Sequence, residues 1–402
     1  MGVFDLFKRK ATSAPPIQEY SGWGSPSATG VTVTENRAMG LSAHFACVRL
    51  IASTIASLPI HVYEQKKDGG KNIVNSHPIA KLLRGKPNNE MTGFSFFESM
   101  QAQICNRGKA YAELVYDKNG YVCEIWPIPP GVCEPKRKDK NSPIEYYFPN
   151  SGVTLPAWKI LHIPGLGFDG INSFSPIQLF RQTIGLGLAV EEFGARFFGN
   201  GTNIGGFLQH PGKLTKEAHE RLVTDMREKY SGIAKSHKMI ILEEGMKFDK
   251  IGMPLEDLQF IETRKFTATE MARIHGVPPH LIGDLEKATF SNIEEQSIEA
   301  VTYAFRPWAI RWEKILNSKL FSIEEQEKYY IKFELDGLLR GNTKSRYDAY
   351  SIGLQQGFLN VDEVREKEDM NPLPDGQGKV YRFPLNLGDA GKTIQEKKNA
   401  KH

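Results

Sequence analysis

The 402-residue chain predicts an α+β fold of more than one piece. Three observations predict it. Helical periodicity covers long stretches at 175–198, 255–275 and 292–320. A β-rich stretch with closely spaced turn signals fills 108–164. No succession of βαβ units announces a doubly wound parallel sheet, and no internal repeat is present.

Taken in order, residues 1–33 are rich in Ser, Pro, Thr and Gly and read as a flexible arm. Thr34–Ser57 is a helix, with Phe45, Val48, Ile51 and Ile55 at helical spacing and Pro59 as its stop. The strand Ile60–Tyr63 and a polar Lys-Asp-Gly-Gly turn follow. A second helix spans Gly93–Asn106 through Phe94, Phe97, Met100 and Ile104. Ala110–Tyr116 alternates, Asp117-Lys118-Asn119-Gly120 turns the chain, and Val122–Pro127 returns as the second strand of a hairpin. Further strands are expected at 144–148 and 159–163.

Ser175-Pro176 places an N-cap before a proline at the first helical position. That helix runs to Phe198 and stops at Gly199-Asn200-Gly201. Gly185 and Gly187 lie inside it, each unfavourable by about 1 kcal/mol relative to Ala, so both are expected to pack closely on a neighbour. Residues 203–252 read as β-α-β-β: strand 206–208, a helix 215–230 capped by Thr215, then strands 239–242 and 247–251. Fifty residues are few for an independent domain, so the unit should lean on another copy or a partner. A helix over 255–275 breaks at Gly276-Val277-Pro278-Pro279-His280. Irregular chain over 281–292 leads to a helix ending at Leu320 and kinked by Pro307. The strand Tyr330–Glu334, a helix 343–356 and a helix 361–368 close the fold. Asn360 and Glu363 form a capping box on the last helix, and a basic tail begins at 386.

Apolar residues at 40 % and charged residues at 24 % suit a folded chain. With 51 basic and 47 acidic residues the net charge is +4, too small for a nucleic-acid wrapper or a polybasic membrane binder. Cys47, Cys105, Cys123 and Cys133 fit no zinc or CxxC spacing, which suggests a reducing compartment and buried thiols. The N-terminal Met-Gly-Val-Phe-Asp-Leu-Phe has no signal-like apolar region, and no run approaches a membrane span.

Gly165-Leu166-Gly167-Phe168-Asp169-Gly170 matches GxGxxG after a strand. The next helix opens only at Pro176, whereas a dinucleotide site needs the last glycine at the helix start. The loop therefore reads as a strand-to-helix hinge, with a nucleotide-binding enzyme as the alternative. Gly388–Thr393 ends like a P-loop but has Asn386 where the motif needs glycine. His275 and His280 are separated by two prolines and share no helical face, so no metal site is expected. No catalytic constellation appears, and neither an enzyme nor a cofactor is expected. Lys235, His237, Lys238, Lys247 and Lys250 make the β-α-β-β unit locally basic. Arg264, Lys265 and Arg273 are balanced by Glu256, Asp257, Glu262 and Glu270, a mixture that duplex DNA could slide past without sticking.

Longer segments carry a resemblance. Phe260-Ile261-Glu262-Thr263-Arg264-Lys265-Phe266, then Ala272-Arg273-Ile274-His275-Gly276-Val277-Pro278-Pro279-His280-Leu281-Ile282-Gly283-Asp284, is the strongest part. It continues as Ala288-Thr289-Phe290-Ser291-Asn292. Ala46-Cys47-Val48-Arg49-Leu50-Ile51-Ala52, Asp336-Gly337-Leu338-Leu339-Arg340-Gly341 and Gly357-Phe358-Leu359-Asn360-Val361-Asp362 follow the same order. On these segments the chain, over 34–385, resembles the portal proteins of tailed bacteriophages, the siphophage head-to-tail connectors.

The resemblance implies a portal fold assembled as a dodecameric ring, with wing, stem, clip, tunnel loop and crown. It places a flexible arm at 1–33, wing at 34–172, stem helices at 173–202 and 254–275, and the clip at 203–253 between them. The tunnel loop falls at 276–291, the kinked helix and remaining wing at 292–341, the crown at 342–385 and a flexible basic tail at 386–402. It implies a channel at one capsid vertex for double-stranded DNA in packaging and ejection, with no membrane involved. The implied partners are the terminase large subunit, a head–tail adaptor, and major capsid and scaffolding protein. The implied location is the virion, with the host cytoplasm during assembly. Position and charge then make Lys265, Arg273, Lys287, Thr289 and Asn292 the channel candidates. They make Lys235, His237, Lys238, Lys247 and Lys250 the docking candidates. A portal-like remnant that no longer assembles is a further alternative.

Overall fold

The computed structural model describes residues 25–66, 70–139, 142–199, 206–209, 212, 215–230, 247–250, 256–284, 296–338, 343–368 and 370–382. The chain divides into two compact units, 1–334 and 335–402.

In the first unit, strands β1 (Ser25–Pro26) and β2 (Thr32–Val33) pair as a short ribbon before helices α1 (Glu35–Gly40) and α2 (Ser42–Ser57). The single helix expected over 34–57 is thus broken at Leu41, whose backbone is extended. The break lets the Leu41 side chain leave the helix line and become buried. Pro59 ends α2 as expected, and β3 (Ile60–Gln65) and β4 (Lys71–Ile73) follow. Helix α3 (Pro78–Arg84) was not anticipated; His77 caps it through the Ile79 amide, with Pro78 at its first turn. Helix α4 (Gly93–Arg107) is capped by Thr92 and stopped by Gly108 in the left-handed region.

The β-rich stretch holds β5 (Lys109–Tyr116), β6 (Val122–Pro127), β7 (Glu134–Lys136), β8 (Glu145–Phe148), β9 (Val153–Pro156) and β10 (Ile160–Pro164). They form two three-stranded antiparallel sheets, β10-β5-β6 and β7-β8-β9. Tyr111 and Ile160 of the first meet Tyr146, Phe148 and Leu155 of the second in a common core. At the hairpin turn, Asp117 Oδ1 accepts hydrogen bonds from the Asn119 and Tyr121 amides, which fixes the register. His162 is buried here, sharing a 3.0 Å hydrogen bond with the Tyr146 hydroxyl. Burial first, then the nearby Lys109 and Lys319 charges, push its pKa down to about 3.

Next come α5 (Pro176–Leu179), capped by Ser175, and α6 (Arg181–Gly199), separated by non-helical Phe180. Strand β11 (Gly206–Gln209), helix α7 (Lys216–Tyr230) and strand β12 (Lys247–Lys250) follow, β11 pairing antiparallel with β12. Thr215 Oγ1 accepts from the Ala218 amide, the cap its position predicts. The strand expected at 239–242 lies outside the described residues. Helix α8 (Glu256–His275) ends at Gly276, with φ +65°, and a 3-10 turn occupies Pro279–Ile282.

Residues Ala300–Phe305 are π-helical and run into α9 (Arg306–Leu320). Pro307 was expected to kink this helix. A proline lacks the N–H that would bond four residues back, and its ring crowds that carbonyl. The backbone absorbs both by widening: the Arg306 amide bonds Val301 O, five residues back. Helix α10 (Ile323–Gln326) has a capping box from Ser322 and Glu325. Strand β13 (Tyr329–Phe333) then joins β3, giving the antiparallel sheet β13-β3-β4.

The main helical core lies where α2 packs along α4, and Trp312 brings α9 against α4. Trp312 is fully buried there, edge-on to Phe96 and Phe97, and its Nε1 donates to Gln101 Oε1 at 2.8 Å. Cys47, Cys105 and Cys133 are buried as small apolar groups, while Cys123 is exposed.

The second unit holds α11 (Thr343–Gln355) and α12 (Val361–Lys367). The expected capping box on α12 is present, and Glu368 accepts hydrogen bonds from Arg346 and Tyr350 of α11. The tail from 386 lies outside the described residues.

Trp312→Phe should destabilise the chain by about 2–4 kcal/mol, because it leaves a gap and strands the buried Gln101 amide. Chemical denaturation will show this, and adding Gln101→Leu should recover part of the loss. Acidification should also destabilise the fold. Neutral buried His162 protonates more readily once unfolded, where its pKa is near 6.5, so the unfolded state binds more protons. Stability is therefore full above about pH 6.5 and is lost progressively as pH falls towards the folded value. His162→Gln should flatten the slope of stability against pH in that window by up to about 1.4 kcal/mol per pH unit.

Candidate functional site

Helices α6 and α8 pack side by side, and glycines set how close they come. A Cβ on Gly187 would stand 2.7 Å from Thr267 Cγ2 and 3.1 Å from Leu41 Cδ2; one on Gly185 would stand 2.4 Å from Ser27 Oγ. The two glycines thus have the close packing that their helix penalty requires. Their joint seam explains why Leu41 leaves its helix.

At the far end of α8, His275 Nε2 lies 3.2 Å from His44 Nδ1, and His44 Nε2 lies 2.9 Å from Asn106 Oδ1. Asn106 also donates to Ala102 O, and its own carbonyl accepts from the Ser175 hydroxyl. This chain of contacts ties α8 to α2, to α4 and to the start of α5. Burial and the adjacent His44 lower the His275 pKa to about 3, and burial lowers that of His44. Both rings are held neutral, which suits a structural joint. His44 sits in the apolar run of α2 with nothing beside it in sequence to mark it. His275 drew notice only for its distance from His280.

A recess of about 380 Å³ opens between α2, α6, α8 and the 3-10 turn. Leu41, Ser42, Glu191, Arg264, Lys265 and Asp284 are among the residues lining it. Its rim carries two positive and two negative side chains, so it is not a phosphate clamp. Lys265 is exposed on α8, and Arg273 lies eight residues on, about 12 Å along the helix axis. Arg273 is itself exposed and paired with Glu270. Of the opposed charges expected along this helix, Arg273 and Glu270 thus meet as an ion pair.

Lys287, Thr289 and Asn292 lie outside the described residues, as do Lys235, His237 and Lys238. Lys247 opens β12 and is exposed; Lys250 closes the same strand opposite Gly206. The structure thus brings Lys265 and Arg273 onto one helix and Lys247 and Lys250 onto one strand.

The glycine motif resolves differently from a nucleotide cradle. Gly165 N donates to Gly108 O at 2.6 Å, and Phe174 N donates to Leu166 O at 2.9 Å. The Ile171 and Asn172 amides both donate to Asp169 Oδ1, at 2.9 and 2.6 Å. These bonds hold the Asp169 carboxyl below its ordinary pKa. A phosphate would meet a fixed anion whose loop has already taken its amides. The glycines serve closeness instead: a Cβ on Gly167 would stand 1.9 Å from Asn172 O, and one on Gly165 2.6 Å from Gly108 O. The hinge reading also gives way, because the loop is tied across itself.

The fold is one of small antiparallel sheets joined by helices, with a self-bonded loop where a dinucleotide site would have its phosphate cradle. The family model for phage portal protein matches residues 42–369. The chain is 35 % identical over 390 residues to the probable portal protein of Streptomyces phage phiC31, covering 92 % of this chain and 83 % of that one. It is 32 % identical over 348 residues to the portal protein of Enterobacteria phage HK97, covering 86 % and 82 %. Among solved structures it is similar to an HK97-family phage portal protein from Corynebacterium diphtheriae, with a TM-score of 0.57, 18 % identity and coverage of 79 % and 99 %. A chain in the neck of a native gene transfer agent particle computed with C12 symmetry gives a TM-score of 0.58 at 22 % identity, covering 88 % and 97 %. The chain belongs to the phage portal protein family, a structural family, and its function is that of a connector at a capsid vertex.

Gly167→Ala should lower the melting temperature, by the equivalent of about 1–3 kcal/mol, since the loop must open to admit the methyl group. Millimolar NADH or ATP should leave the melting temperature of the unaltered chain unmoved. A ligand-dependent rise would restore the nucleotide reading.

Proposed function

We propose that the chain works as a dodecameric ring in the virion, through whose channel double-stranded DNA passes during packaging and ejection. The observation that carries this reading is the family match over 42–369, which spans nearly all the described structure. Similar neck chains from particles computed with C12 and with C6 symmetry support a ring. In this reading 34–172 and 292–341 form the wing, α6 and α8 the stem, and 203–253 the clip. Residues 276–291 form the tunnel loop and 342–385 the crown; of the arm expected at 1–33, residues 25–33 are instead a paired ribbon packed against α6.

The channel candidates are Lys265, Arg273, Lys287, Thr289 and Asn292. Three basic against four acidic residues leave α8 without net positive charge, which suits passage, because each firm phosphate contact releases counterions and strengthens binding. The docking candidates are Lys235, His237, Lys238, Lys247 and Lys250. They would receive first the terminase large subunit, whose motor supplies the energy, and later a head–tail adaptor. Assembly takes place in the host cytoplasm with scaffolding and major capsid protein.

Light scattering on the purified chain, with negative-stain images of the same peak, tests the ring. The expected particle has about twelve times the 45.2 kDa chain mass and shows a central hole. A chain that stays monomeric even with capsid and scaffolding protein present overturns it. On such rings, Arg273→Ala should leave assembly intact and flatten the salt dependence of duplex binding.

A further inference from the structure

Exposed apolar side chains sit on the 165–174 loop and on α6. Phe168 is 96 % exposed, Leu166 75 % and Leu179 59 %. The Phe168 ring stands edge-on to Phe174 at 4.8 Å. Because the loop is cross-tied by its own amides and by Asp169, Phe168 is held in place as a knob, and little ordering remains to be done on binding. Beyond it, Leu179, Leu186 and Phe193 recur every seven residues, and all three are exposed. Leu186 and Phe193 share α6 and make one stripe along it, of the kind that meets another helix, while Leu179 closes α5 just before the break at Phe180.

The rest of α6 sharpens the point. From Gln182 to Val190 it carries no charged residue, and its glycine side is already filled by Ser27, Val33, Leu41 and Thr267 of the same chain. A helix apolar on both sides is built to be covered on both sides.

We propose that the 165–174 knob and the Leu186–Phe193 stripe of α6, with Leu179 at the end of α5, dock a second copy of this chain. This rests on the ring reading above. A convex knob has no hollow to offer its own image, so it must meet a different surface of the next copy. Repeated contacts of that head-to-tail kind close rings. The chain offers a counter-surface of matching chemistry: Ile298 and Tyr303 are 53 % and 76 % exposed, with exposed Arg306 beside them. The Phe168–Asp169 pair would set an aromatic ring against Tyr303 and a carboxylate against Arg306.

The test uses the full chain under conditions where the unaltered protein forms rings. With p-benzoyl-phenylalanine at position 168, irradiation should give covalent dimers and higher ladders within the ring fraction, with attachment expected near Tyr303. Phe168→Asp should lower the ring fraction about tenfold or more, as loss of an aromatic anchor does. Its monomer should stay folded, losing only the exposed edge-on contact with Phe174. Rings that assemble normally with Phe168→Asp and yield no inter-copy adduct overturn the proposal while leaving the ring reading standing. An unaltered chain that never forms rings removes the ring reading, and this proposal with it.

Discussion

The bond from Trp312 to Gln101 is the constraint on which the first unit depends. It joins residues 211 positions apart in a site where neither polar group can reach water. The indole nitrogen and the amide oxygen must therefore meet each other or remain unsatisfied. Meeting fixes α9 across α4, and α9 in turn carries β13 to its place. Asn317 bonds Ile331 through both its amide nitrogen and its oxygen, and Glu313 accepts from the Phe333 amide. β13 then pairs with β3, Phe333 opposite Ile60, and the late chain closes the sheet begun by the early chain. The same helix reaches the β-rich stretch through Arg311, which donates to Pro164 O and Gly165 O, and Lys319, which donates to Ala157 O. One orientation thus sets three joints.

A second set of constraints governs α6 and α8. Their separation is set by missing side chains at Gly185 and Gly187, and the end of α8 is pinned by two neutral histidines. Neither device is strong alone. Together they give a closely apposed helix pair whose lower joint is hydrogen-bonded and whose seam admits no added atom. A helix pair of this kind transmits displacement as a rigid body, which suits a component that must hold its shape while a polymer moves past it.

Much of the architecture could be read from local signals because local chemistry decides it. The Asp117–Gly120 turn, the Ser175-Pro176 start and the Asn360–Glu363 box each satisfy backbone groups from within four residues. What escaped depends on distant partners. Strands β4, β7 and β9 are three or four residues long and exist because a neighbour pairs with them. Leu41 interrupts a good helical pattern because a glycine seam 146 residues on has room for it. The signal at Pro307 surfaces as a widened, π-helical turn just before it. Of the site, the charge balance of α8 was visible in sequence, whereas His44 gave no sign of its partner 231 positions away. The glycine motif misled in one respect only: its residues do permit close backbone approach, but to the chain itself.

The widened turn at 300–305 has a bearing on how this chain can change over time. Each residue advances a helix by about 100°, so a wide turn acts as one extra residue absorbed without breaking the rod. It sets the phase between the part of the helix that shows Tyr303 to solvent and the part that points Trp312 inward. Removing a single codon there would let the segment relax to ordinary winding and would turn one part against the other by nearly a third of a revolution. Descendants of the sequence should keep the residue count of this rod more faithfully than the identity of most residues in it.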